Sequence, residues 1–133
     1  MIDAAARKFV RVRADNRCEY CLLRQDYSDN ALHIEHIVAK QHGGSDDLGN
    51  LALACHRCNL YKGPNLTGFD CETDHIVRLF HPRRDRWTDH FIPRGLRIEG
   101  LTDVGRATVL VLGMNDNDQL DVRAELLALG KLD

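Results

Sequence analysis

The first apolar positions of the chain recur at helical spacing. They lie within residues 3–15 and are Ala5, Ala6, Phe9 and Val12. Asp3 precedes them and is a suitable N-cap. The pattern predicts a helix that buries this apolar stripe and projects Arg7, Lys8 and Arg11 away from it.

The middle of the chain predicts two short strands and a helix. Residues 32–38 and 51–54 have the apolar character of strands, and the Gly-Gly-Ser-Asp-Asp segment at 43–47 is a loop by composition. Residues 55–62 predict a helix that Gly63 and the following proline stop. This order is a β-hairpin followed by a helix.

The C-terminal half predicts three strands and then two helices. The strands are expected at 75–80, 86–92 and 96–99. The helices are expected at 103–112, with Thr102 as cap and Gly113 at the end, and at 118–129, with Asn117 as cap. The chain shows no internal repeat or linker, so we predict a small α+β fold in a single domain, 1–133.

Composition places the chain among ordinary globular proteins. It has 133 residues, 44% hydrophobic and 29% charged, which is enough for one domain with a core. No apolar run approaches the ~18 residues of a membrane span, and the N-terminus lacks the apolar core of a signal peptide. We therefore expect a soluble, cytoplasmic protein without membrane partners. The net charge of −2 does not indicate nucleic acid, although basic residues cluster at 7–13 and 78–86.

Four of the five cysteines form two Cys-x-x-Cys pairs, Cys18 with Cys21 and Cys55 with Cys58. In a reducing compartment, two such pairs favour a tetrahedral zinc site over disulfides. A redox role would require a thioredoxin-like context, which is absent. Because four protein ligands leave no open position, this zinc should be structural. The fifth cysteine, Cys71, is expected to be a small buried or idle thiol.

A second group of residues offers oxygen ligands and a base. Glu35 and Asn59 could share a Mg²⁺ or Mn²⁺ ion, with water and phosphate at the remaining positions. His36, beside Glu35, is a residue type that can take a proton from water near neutral pH. Zinc at Cys58 would fix the adjacent Asn59 at the start of its helix.

These residues fall in an order that resembles the HNH endonuclease motif. The matching elements are Glu35-His36-Ile37, Gly43-Gly44-Ser45, Asn50-Leu51 and Cys55-x-x-Cys58-Asn59-x-x-Lys62-Gly63. With the first Cys-x-x-Cys pair they are similar to the zinc-bound branch of the ββα-metal (His-Me finger) nucleases. The resemblance covers about residues 16–63 and leaves 64–133 as an extension without an assigned role.

The resemblance implies a mechanism and a role for each residue. His36 is the general base, Glu35 and Asn59 bind the catalytic Mg²⁺ or Mn²⁺, and Asn50 shapes the loop and orients the base. The implied partner is DNA, and Lys62 or an arginine would contact backbone phosphate. The chain departs from the family pattern twice, with Glu35 in place of the commoner Asp or His, and with Val38-Ala39 where many members have proline.

Two other classes of function remain open. One is a zinc-stabilised nucleic-acid-binding module that has lost catalysis, and the other is a protein-interaction domain built on zinc knuckles. Retention of Glu35, His36, Asn50 and Asn59 favours the enzyme, because binding alone needs none of them. The segment His81–Asp85 could contact phosphate through His81, Arg83 and Arg84, but an ordinary turn is the favoured interpretation.

Overall fold

The computed structural model describes residues 2–132. These residues form an α+β fold with helices around three separate antiparallel strand pairs, which confirms the predicted fold class. In chain order the elements are α1 (Ala4–Arg13), β1 (His33–His36), β2 (Leu51–Ala54), α2 (His56–Lys62), β3 (Thr67–Asp70), β4 (His75–Arg78), α3 (Trp87–His90), β5 (Phe91–Arg94), β6 (Arg97–Gly100), α4 (Asp103–Val111) and α5 (Asn117–Ala128), with short 3-10 turns at Gln25–Tyr27, Lys40–His42 and Leu48–Asn50.

The predicted β-hairpin followed by a helix is confirmed. β1 and β2 pair antiparallel, with His33 opposite Ala54 and His36 opposite Leu51. β2 is buried along its whole length and is therefore the core strand of this hairpin. α2 begins directly after β2 and ends before Gly63, whose φ of 48° lies in the left-handed region that glycine tolerates best.

α1 begins as predicted but buries a different face. The Asp3 carboxylate accepts a hydrogen bond from the backbone N–H of Ala6 at 2.8 Å, which confirms the N-cap. Val10 is fully buried, whereas Phe9 and Val12 are 48% and 69% exposed, so the predicted apolar stripe is wrong.

Arginine contacts set the rotation of α1. The guanidinium of Arg11, expected to project outward, donates to the carbonyl of Leu32 at 3.0 Å. Arg13 donates to the carbonyl of Leu51 at 2.7 Å. These contacts attach one face of α1 to β2 and to the residue before β1. The helix therefore packs the aliphatic parts of Arg11 and Arg13 beside Val10.

The C-terminal half contains two elements that the pattern did not predict. Trp87–His90 is a helical turn rather than part of a strand, and it brings the rings of Trp87 and Phe91 to 5.1 Å between centroids. β3 was missed because Gly68 interrupts its alternation. A Cβ at Gly68 would lie 2.7 Å from Cγ2 of Val111, so α4 packs directly against this strand.

The two long C-terminal helices are confirmed, with one corrected cap. The hydroxyl of Thr102 accepts from the N–H of Gly105 at 3.0 Å and caps α4. α5 has Asp116 as its N-cap, so the assignment of Asn117 as cap is wrong and Asn117 is the first helical residue. Arg57 on α2 pairs with Asp116 at 2.7 Å, which attaches α5 to the hairpin and helix.

Both halves of the chain share one buried cluster. It includes Val10, Tyr20, Leu53, Phe80, Phe91 and Leu112. The indole N–H of Trp87 donates to the carbonyl of Tyr20 at 2.8 Å, and Arg83 forms an ion pair with Glu19. The extension is therefore packed against the segment that carries the first Cys-x-x-Cys pair. Among the described residues, no helix combines the length and the apolar character that crossing a membrane requires.

Replacing Gly105 by alanine tests the close packing of α4. Alanine in a helix interior normally stabilises by ~1 kcal/mol relative to glycine. Here the added Cβ would lie 2.1 Å from the backbone carbonyl oxygen of His90, so we expect Gly105→Ala to destabilise by at least about 1 kcal/mol. Urea unfolding measures this change. Gly49→Ala is the control, because a Cβ there meets no atom within 4 Å; equal stability of the two variants would contradict the packing.

Candidate functional site

Four buried thiols converge where the N-terminal segment meets α2. They belong to Cys18, Cys21, Cys55 and Cys58, and their sulfur atoms all lie within 4.8 Å of one another. The Sγ atoms of Cys21 and Cys55 are 3.7 Å apart. Zinc–sulfur bonds of about 2.3 Å in a tetrahedron place the sulfurs about 3.8 Å from each other. The cluster therefore fits a structural zinc ion with four protein ligands.

Local backbone geometry holds each pair of thiols. Leu22, with a φ of 69°, lets the chain reverse after Cys21, and the N–H of Cys18 donates to the carbonyl of Leu23 at 2.8 Å. Sγ of Cys55 accepts from the N–H of Cys58 at 3.4 Å and so caps α2. One sulfur thus serves both the metal cluster and the start of the helix.

The close approach of the thiols alters their acidity. Hydrogen bonds with Cys18 and Cys55, together with burial, raise the pKa of the Cys21 thiol well above its usual range. Hydrogen bonds from the other thiols, that of Cys18 first, lower the pKa of Cys55. Four buried thiols packed this closely are an arrangement that suits a cation that binds thiolates.

His36 lies at the end of β1 and is held by a carboxylate. Its Nε2 atom is 2.7 Å from Oδ1 of Asp46, and the ammonium of Lys40 is 2.9 Å from the same oxygen. The His36 side chain is 24% exposed. An ionised carboxylate can only accept, so in the neutral imidazole the proton lies on Nε2 and the lone pair lies on Nδ1.

Asn50 organises the loop between the two strands. Its Oδ1 accepts from the N–H of Val38 at 2.9 Å, and its Nδ2 donates to the carbonyls of Val38 and Ser45 at 3.0 and 2.8 Å. A Cβ at Gly44 would lie 1.7 Å from the carbonyl oxygen of Val38, so only glycine fits beside this amide. Asn50 therefore shapes the loop that carries Asp46.

Glu35 points into the interior. It is 7% exposed; its Oε1 accepts a hydrogen bond from the hydroxyl of Tyr20, and its Oε2 lies 3.5 Å from the ammonium of Lys62. Burial raises the pKa of this carboxyl, while Lys62 and Tyr20 act in the opposite direction. Tyr20 is fully buried, and burial and the adjacent Glu35 raise the pKa of its hydroxyl.

Lys62 lies in the interior, between the helix and the strand. It is 2% exposed, and its Nζ donates to the carbonyl of Ile37 at 2.9 Å. Of the two expected contacts with backbone phosphate, that of Lys62 is therefore wrong, and that of an arginine stays a prediction. Asn59 is half-buried and lies three residues before Lys62 on α2. It therefore shares the face of the helix from which Lys62 contacts Glu35.

The predicted site residues form two groups. Alternation along β1 directs Glu35 and His36 to opposite faces, so Glu35 contacts Tyr20 and Lys62 while His36 contacts Asp46. Within residues 2–132, no hydrogen bond or ion pair joins Glu35, His36 and Asn59 to one another.

Sequence reasoning missed Tyr20, Asp46 and the buried position of Lys62. Tyr20 lies between the first two cysteines, and the Cys-x-x-Cys spacing predicts a role for the cysteines alone. Asp46 lies in a segment whose composition indicates only a polar loop. For Lys62 a signal existed, because it lies four residues after Cys58 and therefore on the buried face of the helix.

Comparison with known proteins supports the pattern of residues. Residues 18–65 match the family model described as HNH endonuclease, and this segment contains both Cys-x-x-Cys pairs, β1, β2 and α2. No curated protein and no solved structure gave a significant match to the chain.

Loss of one thiol tests the metal cluster. We expect Cys55→Ala to reduce bound zinc from about one equivalent to near zero and to lower the unfolding midpoint by at least about 10 °C, because metal binding contributes directly to folding. Elemental analysis and thermal unfolding measure the two effects. Cys71→Ala, at an exposed cysteine outside the cluster, should change neither. Unaltered zinc content in Cys55→Ala would contradict the assignment.

Proposed function

We propose that this chain, whose residues 18–65 match the HNH endonuclease family model, is a metal-dependent endonuclease that hydrolyses phosphodiester bonds of DNA. The reaction adds water across one P–O bond. The oxygen of water forms a bond to phosphorus, the bond to the 3′ oxygen breaks, and the products carry 5′-phosphate and 3′-hydroxyl ends. The chain must then supply a base for the water and stabilise the charged phosphoryl group.

The hydrogen bond between His36 and Asp46 is the observation that carries this proposal. It holds the imidazole by Nε2 and leaves the Nδ1 lone pair as the acceptor for a proton. The side chain is partly exposed, so water and substrate can reach it. A carboxylate behind an imidazole also stabilises the imidazolium that forms when the base takes a proton.

Asn50 supports this arrangement without touching the substrate. Its three hydrogen bonds fix the backbone at Val38 and Ser45, on either side of the loop that presents Asp46. The position of the carboxylate relative to His36 therefore depends on Asn50. This accounts for the role that the family pattern gives to the middle asparagine.

Glu35 and Asn59 would hold the divalent ion. A carboxylate and an amide oxygen are suitable ligands for Mg²⁺ or Mn²⁺, and such an ion would supply positive charge to a phosphoryl group. Oε2 of Glu35 lies 3.5 Å from Nζ of Lys62, so an ion at this carboxylate would replace Lys62 as its partner. Lys62 balances the charge of this carboxylate in the interior.

Replacing His36 tests the proposed base. His36→Ala should keep the zinc content and the unfolding midpoint but lose at least about a hundredfold in cleavage rate, because general-base catalysis contributes about 10²–10⁴. Nicking of supercoiled plasmid in Mg²⁺, Mn²⁺ or EDTA measures this loss. His42→Ala is the matched control, since His42 is exposed and follows the same strand.

Two results would contradict the assignment. Cleavage by His36→Ala at the wild-type rate would exclude His36 as the base. Tight DNA binding by a wild-type protein that cleaves no substrate with either ion would instead support a binding module without catalysis.

Replacing Asn59 separates the two metal sites. Asn59→Ala should retain its zinc, because its thiols are intact, and should need a higher Mg²⁺ or Mn²⁺ concentration for half-maximal cleavage. Metal titration of the cleavage rate, with elemental analysis of zinc, measures both. Zinc loss with an unchanged Mg²⁺ titration would reverse the roles of the two sites.

A further inference from the structure

The C-terminal extension forms one wall of a cleft beside the proposed nuclease site. The cleft has a volume of about 340 Å³, within the range of ligand sites. Ile37, Val38 and Lys62 of the N-terminal part line one side, and Arg78, His81 and Arg84 of the extension line the other. Because Ile37 and Val38 directly follow His36, the cleft begins next to the proposed base.

Arg84 is the cation of the cleft that has no ionic partner among residues 2–132. Three basic side chains line the cleft, but Lys62 is paired with Glu35, and the guanidinium of Arg78 makes two contacts with the carboxylate of Asp85, at 2.6 and 3.1 Å. Within the described part of the chain, no carboxylate pairs with Arg84. Its exposed guanidinium therefore leaves the cleft with an excess of positive charge.

His81 supplies a hydrogen-bond donor of fixed direction. Its Nδ1 accepts from the N–H of Arg83 at 3.2 Å, so in the neutral ring the proton lies on Nε2. Burial and the charge of Arg84 lower the pKa of His81, which favours that neutral form. Nε2 makes no hydrogen bond within residues 2–132. Its N–H is thus available to a ligand in the cleft.

The turn that carries both residues is held rigidly. The carboxylate of Asp85 accepts from the N–H of His81 at 2.9 Å while it binds Arg78. The ion pair between Arg83 and Glu19 attaches the turn to the segment with the first two cysteines. A donor on a fixed backbone loses less conformational entropy on binding than one on a mobile loop.

We propose that this cleft binds a backbone phosphate of the DNA strand, close to the phosphate that is cleaved, with Arg84 supplying the charge and His81 Nε2–H the directed hydrogen bond. The inference rests on the proposed nuclease function and gives the extension a part in substrate binding. Val38, two residues after His36, lines the cleft, and two residues of extended chain cover about 7 Å. Successive phosphates advance about 3.4 Å per nucleotide along the DNA axis, so the proposed phosphate lies within a few nucleotides of the scissile one.

Binding measured without cleavage tests the inference. The probe is a short fluorescein-labelled DNA duplex, titrated in EDTA with proteins that all carry His36→Ala. Adding Arg84→Ala should weaken binding about tenfold and reduce the slope of log K against log salt by about one, because one phosphate contact is lost. Arg97→Ala is the matched control, since Arg97 is an exposed arginine on β6, outside the cleft.

Variants of His81 test the hydrogen bond. His81→Leu should weaken binding by about three- to tenfold and leave the salt slope unchanged, because a neutral donor is lost. His81→Gln retains an N–H donor and should restore most of the affinity. In the protein with His36 intact, Arg84→Ala should raise KM with little change in kcat, because the contact is present in both ground and transition states.

The outcomes separate this inference from the nuclease proposal. If Arg84→Ala matches Arg97→Ala in affinity and salt slope, the cleft does not bind phosphate, even where the wild-type protein cleaves DNA. If the Arg84 and His81 substitutions weaken DNA binding as expected but the wild-type protein cleaves no DNA, the phosphate site is supported and the nuclease proposal is contradicted. A wild-type protein that neither binds nor cleaves DNA overturns both.

Discussion

The convergence of four buried sulfurs is the constraint on which the rest of the structure depends. The two cysteine pairs lie far apart in sequence, and their sulfurs meet within 4.8 Å. Cys55 is both a member of the cluster and the N-cap of α2. The geometry of the cluster therefore fixes where α2 begins and which of its faces turns toward β1, and this determines the positions of Asn59 and Lys62.

A layer of buried polar groups connects this cluster to β1. Tyr20, between the first two cysteines, donates to Glu35, and Lys62, four residues after Cys58, is paired with the same carboxylate. Buried charges of this kind are costly unless each has its partner. These contacts fix the position of β1 relative to α2. They therefore also fix the position of His36, whose side chain lies on the other face of the strand.

Local patterns predicted the centre of the fold well, and contacts between distant segments decided the rest. The cysteine spacing, the apolar run at 51–54 and the glycine after Lys62 specify the hairpin and helix without reference to other elements. The face of α1 depends instead on arginine contacts with Leu32 and Leu51. Similarly, β3 depends on α4 packing against Gly68, and Asp46 acquires its role only when the loop folds back onto His36.

The shared buried cluster limits how the segment 18–65 can be separated from the C-terminal extension. Phe80 and Phe91, both from the extension, pack in the same core as Tyr20 and Leu53. A chimera that transplanted only residues 18–65 onto another scaffold would expose Tyr20 and Leu53 to water and remove the indole that binds the carbonyl of Tyr20. The family-matching segment and the extension thus share one core, and any protein that replaced the extension would have to supply an apolar surface of the same shape.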